Sequence, residues 1–208
     1  MQPFSEVITT EEELRAVLGH PTYLSANKAV KTLDDHCRAF IAASPFMLIA
    51  SADAQGNMDI SPKGDPAGFV QVLDERTLAI PDRPGNRRAD TFLNILQNPQ
   101  VALFFFVPGK QETFRVSGKA MIVRDLWLRE RMAQHGKTPQ FAIVVSIDEA
   151  FLHCAKCVIR SGIWQQEQWP DLENLASLAR VMIDHGKLAD SEEKIQSLID
   201  ESYRDRLY

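Results

Sequence analysis

Two short segments concentrate groups able to hold an anion: Ser61-Pro62-Lys63-Gly64-Asp65 and Asp82-Arg83-Pro84-Gly85-Asn86-Arg87-Arg88. Each follows an apolar run of strand length, so each set of cations begins at a strand end. A chain that is acidic overall, yet gathers Lys63, Arg83, Arg87 and Arg88 at such positions, offers positive charge against the trend of its own composition. The phosphate of a cofactor suits this set best. Guanidinium forks meet phosphate oxygens bidentately, Gly64 and Gly85 let backbone N–H groups come close, and donors from two strand ends fix position as well as charge. The competing reading is that these are solvated loop charges, as most exposed Lys and Arg are.

A second constellation is His153-Cys154-Ala155-Lys156-Cys157. A Cys-x-x-Cys pair can ligate zinc or act in redox chemistry once a thiolate is stabilised. Zinc would need two further ligands, and Cys37, His135 and His185 are scattered along the chain. The usual redox motif opens a helix after a strand in a thioredoxin-like order, which is absent here. If the segment is helical, Cys154 and Cys157 share one face, while Lys156 and Arg160 lie four apart on another. Ordinary packing is the plainest role for both thiols, and Cys37 reads as a small buried apolar group. No Ser-His-Asp order or paired-carboxylate motif stands out, so hydrolysis is not supported.

These residues are carried by a strand-rich middle. Phe46–Ser51 and Met58–Ser61 form a hairpin pattern around Gly56, and Gly68–Leu73 turns through Asp74-Glu75-Arg76 into Thr77–Pro81. A short helix over 89–97 precedes the apolar run Val101–Val107, expected to be buried on both faces. Glu112–Val123 alternates as one long strand with a bulge at Gly118, and Phe141–Ile147 is the last strong strand. Five or six antiparallel strands at short spacing suggest a small closed or half-open barrel. Helices are expected at Thr10–Leu18 and Asn27–Ala43 before it, at Leu126–Gln134 within it, and over Leu172–His185 and Ser191–Tyr208 after it. At 208 residues the chain fits one domain, with N-terminal helices in 1–45, a barrel with inserted helices in 46–170 and C-terminal helices in 171–208.

Composition removes several classes. A net charge of −5 and a pI near 5.6 lack the broad cationic surface of a nucleic-acid binder. No apolar run approaches the roughly 18–20 residues of a membrane span. Met1-Gln2-Pro3-Phe4-Ser5-Glu6 lacks a signal-peptide pattern, and three cysteines without framework spacing suit a reducing compartment, so a cytoplasmic location is expected.

The order Met47-Leu48-Ile49-Ala50-Ser51, Asn57 to Pro66 with its Ser-Pro-Lys-Gly-Asp-Pro signature, Leu78 to Arg88, Asn98-Pro99-Gln100-Val101-Ala102-Leu103 and Arg115-Val116-Ser117-Gly118 resembles the pyridoxamine 5′-phosphate oxidase-like flavin-binding split-barrel family, over about residues 25–170. The resemblance implies a mainly β fold with flanking helices, built on a six-stranded antiparallel Greek-key split barrel. It also implies a homodimer with FMN in clefts between subunits. Carried over residue by residue, Ser61, Pro62, Lys63 and Gly64 correspond to the segment beside the flavin, and Ile80, Pro81 and Asp82 to the strand end whose backbone lines the ring. Arg87 and Arg88 correspond to the basic pair on the phosphate. Asn86 stands where the oxidases more often have serine, and Thr113 where they have a glutamine near the ring. Trp164 and Arg160 are the aromatic and the cation expected from the partner subunit. The C-terminal arginine and histidine with which the true oxidases hold pyridoxal phosphate have no counterpart in Arg204-Asp205-Arg206-Leu207-Tyr208. The expectation is therefore an FMN-dependent oxidoreductase of unidentified substrate, not a true pyridoxamine phosphate oxidase. The alternative is a flavin- or heme-binding sensor or storage protein without turnover.

Overall fold

A computed structural model describes residues 4–208, so the first three residues of the segment read for targeting lie outside the described residues. Helix α1 (Glu11–Leu18) starts where the Thr10 hydroxyl accepts from the Glu13 N–H, and the Glu13 carboxylate returns to the Thr10 N–H. A single turn, α2 (Tyr23–Ala26), follows. The helix expected from Asn27 begins only at Asp35, as α3 (Asp35–Ala43). Two effects delay it: Val30 exchanges backbone hydrogen bonds with Ala150, and the Asp34 carboxylate caps the helix by accepting from the Cys37 N–H at 2.8 Å. Cys37 is buried as expected, and burial pushes its thiol up to about 11, with Asp34 adding to the rise.

Strands β1 (Phe46–Ala52) and β2 (Met58–Gly64) form the predicted hairpin. Its turn is organised by the Asp53 carboxylate, which accepts from Gln55 N–H, Asn57 N–H and the Asn57 side chain at 2.7–2.9 Å, with Gly56 at φ 86°. β3 is only Gln71–Val72, much shorter than the expected 68–73 run, and β4 is Thr77–Pro81. After α4 (Asp90–Gln97) come β5 (Gln100–Phe106) and the long β6 (Thr113–Val123). The pairing of β6 with β7 (Ala142–His153) shifts register between Ser117 and Gly118, where the bulge was read. Gly118 is required there: a Cβ would strike the Ser146 carbonyl. Helix α5 (Leu126–Arg131) is shorter than predicted, and β7 continues six residues past Ile147. The chain then enters α6 (Lys156–Ser161), a 3-10 turn over Gln166–Gln168, and the C-terminal pair α7 (Leu178–Gly186) and α8 (Glu192–Asp205), capped by Ser177 and Ser191.

The sheet order is β2-β1-β5-β6-β7-β4-β3, every pair antiparallel. This corrects the expected six-stranded barrel. Among the described residues there are seven strands, because the 71–72 segment pairs as a short edge, and the sheet is not closed, because no ladder joins β2 to β3. Period-2 alternation sends Met47, Ile49, Leu103, Phe105, Phe114 and Val116 into the core, where Phe40 of α3 and Ile95 of α4 cover them. The expectation that the β5 run is buried on both faces also fails: Val101, Leu103 and Phe105 are buried, while Ala102, Phe104 and Phe106 are half-buried on the other face. Among the described residues, no helix is long and apolar enough to cross a membrane.

Candidate functional site

The open edge between β2 and β4 holds the anion-binding residues read from the sequence. Along β2, Asp59, Ser61 and Lys63 are half-buried, whereas Met58, Ile60, Pro62 and Gly64 are exposed, so the strand turns its polar set inward. On β4, Ile80 and Pro81 are buried and lie past the last residue paired with β3, which leaves that edge without a strand neighbour. Asp82 follows and is half-buried.

Electrostatics link the two strand ends. Burial pushes the Lys63 ammonium below its ordinary range, opposed by the nearby carboxylates of Asp82 and Asp59. Burial pushes the Asp82 carboxyl up, opposed by Lys63 and Arg83. For each partner, burial thus outweighs the compensation the other provides. Just beyond them, Arg83 Nε donates to Asp65 Oδ2 at 2.5 Å, and Arg83 Nη2 donates to the Met132 carbonyl at 3.0 Å. The Tyr208 hydroxyl donates to the other Asp65 oxygen at 2.9 Å. A clamp therefore holds the ends of β2 and β4 together without a ladder between them.

The loop from Asp82 into α4 supplies the remaining donors. Arg88 N–H donates to the Asn86 side-chain oxygen at 3.0 Å, and Arg88 Nε pairs with Asp90 at 2.9 Å. Arg87 and Ala89 are left-handed, at φ 61° and 60°, so the backbone enters the helix through a sharp turn. Ala89 at the N-cap cannot accept a hydrogen bond through its side chain, so the first-turn N–H groups of α4 have no side-chain cap. Thr91, buried in that turn, donates to Asp59 at 3.2 Å, and Asn94 donates to Ser51 of β1 at 3.1 Å, which tie the helix to the hairpin. Asp59 also lies in the field of Arg88, as it does in that of Lys63.

Lys63 and Arg88 thus both lie in the field of Asp59, which accepts from Thr91 in the first turn of α4, and Asp82 lies beside Lys63. Asn86, Arg87 and Arg88 are exposed, and among the described residues Arg87 has no ion pair or side-chain hydrogen bond. An uncapped helix N-terminus beside the unpaired Arg87 fits a phosphate. Thr113 sits elsewhere, buried opposite His153 in the β6–β7 ladder, and its hydroxyl has no partner in the protein. His153 Nε2 is likewise buried and unpartnered; burial, then Lys28 and Arg115, hold its imidazole below the ordinary range. Arg160 is exposed on α6, and Trp164 Nε1 donates to the Lys110 carbonyl at 2.8 Å in the β5–β6 turn. No hydrogen bond or ion pair among the described residues joins Thr113, Arg160 or Trp164 to the Lys63 neighbourhood. Nor do any three His, Cys, Asp or Glu side chains among them converge as metal ligands.

Sequence reasoning missed Asp59, Thr91 and Tyr208. Asp59 was within reach, since it shares the β2 face with Ser61 and Lys63. Tyr208 carried no local signal, being 143 residues from Asp65.

The open sheet edge, the basic strand ends and the uncapped start of α4 lie in one candidate anion site. The chain belongs to the pyridoxamine 5′-phosphate oxidase family, whose profile matches residues 33–154. Solved structures of similar fold include HupZ of Group A Streptococcus, at 18% identity over 58% of this chain and 93% of that one, with a TM-score of 0.47. A candidate pyridoxamine 5′-phosphate oxidase from Lactobacillus delbrueckii aligns at 22% identity over 60% and 98%, with a TM-score of 0.47. An FMN-binding protein from Syntrophomonas wolfei aligns at 13% over 56% and 83%, with a TM-score of 0.45. No curated protein sequence matches the chain.

Proposed function

We propose that this protein is an FMN-binding flavoprotein that acts as an oxidoreductase on a small molecule. What supports the reading is that Lys63 and Arg88 share the field of Asp59 beside the uncapped start of α4 at the open sheet edge, within a chain of this family. In this reading Lys63, Arg87, Arg88 and Asn86 hold the phosphate with the N–H groups of α4. The Ser61-Pro62-Lys63-Gly64 and Ile80-Pro81-Asp82 backbones border the ring. Bound flavin supplies the redox chemistry by accepting a hydride or passing electrons on, while the protein supplies position and electrostatics. The reading does not extend to pyridoxamine phosphate as substrate, since Arg204-Asp205-Arg206-Leu207-Tyr208 does not match the arginine-and-histidine segment of the true oxidases.

The assembly proposed with it is a homodimer. Three rows of the sheet put apolar groups on the face away from the core: Ile60, Ala50 and Ala102; Pro62, Leu48 and Phe104; Gly64, Phe46 and Phe106. Ile60 is 62% exposed and Phe46 41%. A contiguous apolar patch of this kind favours a protein partner, and a second copy supplies Trp164 and Arg160 from outside the Lys63 neighbourhood.

The test is the visible spectrum of freshly purified protein, repeated for Arg87→Ala and Lys63→Ala. A yellow wild type with pale variants supports the reading, and equal colour in all three moves the ligand to another pocket. Turnover of reduced nicotinamide with an added acceptor then separates an enzyme from a carrier or sensor. Light scattering checks the dimer independently.

A further inference from the structure

The Cys-x-x-Cys segment lies in a strand-to-helix passage that the sequence did not disclose. β7 runs through His153 and α6 begins at Lys156, with Ala155 between them already right-handed at φ −70°, ψ −12°. Cys154 and Cys157 are therefore spanned by two residues in helical conformation. Helical rise and radius put such α-carbons about 5 Å apart, inside the roughly 4.4–6.8 Å range that a disulfide spans. Both thiols are free and exposed, whereas Cys37 is buried.

Cys154 also lines an open surface groove with Tyr23, Leu24, Lys28, Leu152 and His153, and no acidic side chain among the described residues borders it. The Lys28 ammonium donates to the Leu152 carbonyl at 3.2 Å and sits 4.4 Å from the centre of the Phe151 ring. An ammonium has three donors, so two remain for a carboxylate.

We propose that Cys154 and Cys157 are a reversible dithiol/disulfide pair that reacts with small carboxylate-bearing peptide disulfides, with Cys154 attacking and Cys157 resolving. The Cys154 thiolate attacks one sulfur of the incoming disulfide; that S–S bond breaks, and one peptide thiolate leaves and takes a proton from water. The Cys157 thiolate then attacks the Cys154 sulfur, forming the internal S–S bond and releasing the second peptide thiol. Two protein thiols are oxidised and one disulfide is reduced to two thiols. Lys28 holds a carboxylate of the peptide during the first attack. None of this depends on flavin.

The experiment incubates full-length protein with glutathione disulfide, then denatures it, alkylates it with a maleimide and reads the mass. The expected result is loss of two of the three alkylatable cysteines, leaving Cys37. Cys157→Ser should retain one glutathione on Cys154, and Cys154→Ser should form no internal bond. Lys28→Ala should slow oxidation several-fold with glutathione disulfide and leave the rate with uncharged hydroxyethyl disulfide unchanged. Wild type that keeps all three thiols, or that carries separate adducts on Cys154 and Cys157, overturns the pair. An equally fast adduct on Cys157 in Cys154→Ser overturns the assigned order, and equal slowing with both disulfides overturns the role of Lys28.

Discussion

The pair between Asp65 and Arg83 should be worth far more than a surface ion pair, because it replaces a missing ladder. Asp65 is 2% exposed at its side chain and Arg83 18%, with N···O at 2.5 Å. Removing one partner of a buried pair typically costs about 3–5 kcal/mol, since the other charge is left without compensation. Asp65→Ala belongs at the lower end, about 3 kcal/mol, because Arg83 keeps its bond to the Met132 carbonyl and some contact with water. At this chain length each kcal/mol moves Tm by about 2–4 °C, so a loss of about 6–12 °C is expected.

Urea unfolding of Asp65→Ala, Arg83→Met and the double variant would measure the coupling directly. A term of about 2 kcal/mol or more is expected, with the double variant more stable than the sum of the singles predicts. Single losses near 0.5 kcal/mol, the scale of exposed pairs, would falsify the claim that this contact holds β2 against β4. Tyr208→Phe removes the second Asp65 bond and should cost about 1 kcal/mol.

Arg87→Ala should weaken FMN binding by roughly 5- to 30-fold, the low range for a bond between charged groups at an exposed site, as measured by fluorescence titration. Lys63→Ala should weaken it further, because Lys63 is half-buried; a smaller effect than that of Arg87→Ala would contradict the proposed geometry. Gly118→Ala should cost about 1–3 kcal/mol or more by forcing the β6 and β7 backbones apart at the bulge; unchanged thermal stability would contradict that contact. His153 makes stability fall in mild acid. Its folded-state imidazole is held below the ordinary 6.5 by burial, then by Lys28 and Arg115, so the unfolded chain takes up a proton first. Stability is complete above pH 6.5 and is lost as pH falls below it, and His153→Gln should flatten that slope in Tm. Parallel slopes for both proteins would remove His153 as the cause.

Local chemistry made much of the sheet legible. Asp53 and Gly56 announce the first hairpin, and Gly118 announces the bulge, because each is demanded by a backbone conformation or an approach that few residues allow. The errors have a common cause in long-range pairing. The apolar spacing from Val30 to Ile41 is helical, yet Val30 is taken by Ala150, far along the chain. The continuation of β7 to His153 was hidden because Asp148 and Glu149 interrupt its apolar alternation at the register shift. At the site, Lys63 and Arg87 were readable as strand-end cations, whereas the contacts of Asp65 with Arg83 and Tyr208 exist only after the sheet coils.

The alternation of β2 was plain in Met58-Asp59-Ile60-Ser61-Pro62-Lys63, but alternation does not say which set faces in. An edge strand that points Asp59, Ser61 and Lys63 inward loses apolar packing, and one that points Met58 and Ile60 outward leaves them in water. Both costs are offset if a phosphorylated ligand meets the inner set and a second subunit covers the outer one. This joins the two proposals on a single strand and gives them different signatures. Ile60→Glu places a charge in the apolar rows, so it should yield monomers by light scattering and, since the partner completes the cleft, release the flavin. Lys63→Ala should release the flavin and leave the dimer intact. If Ile60→Glu becomes monomeric yet keeps its colour, the cofactor is held within one subunit and the partner's Trp164 and Arg160 have no part in it.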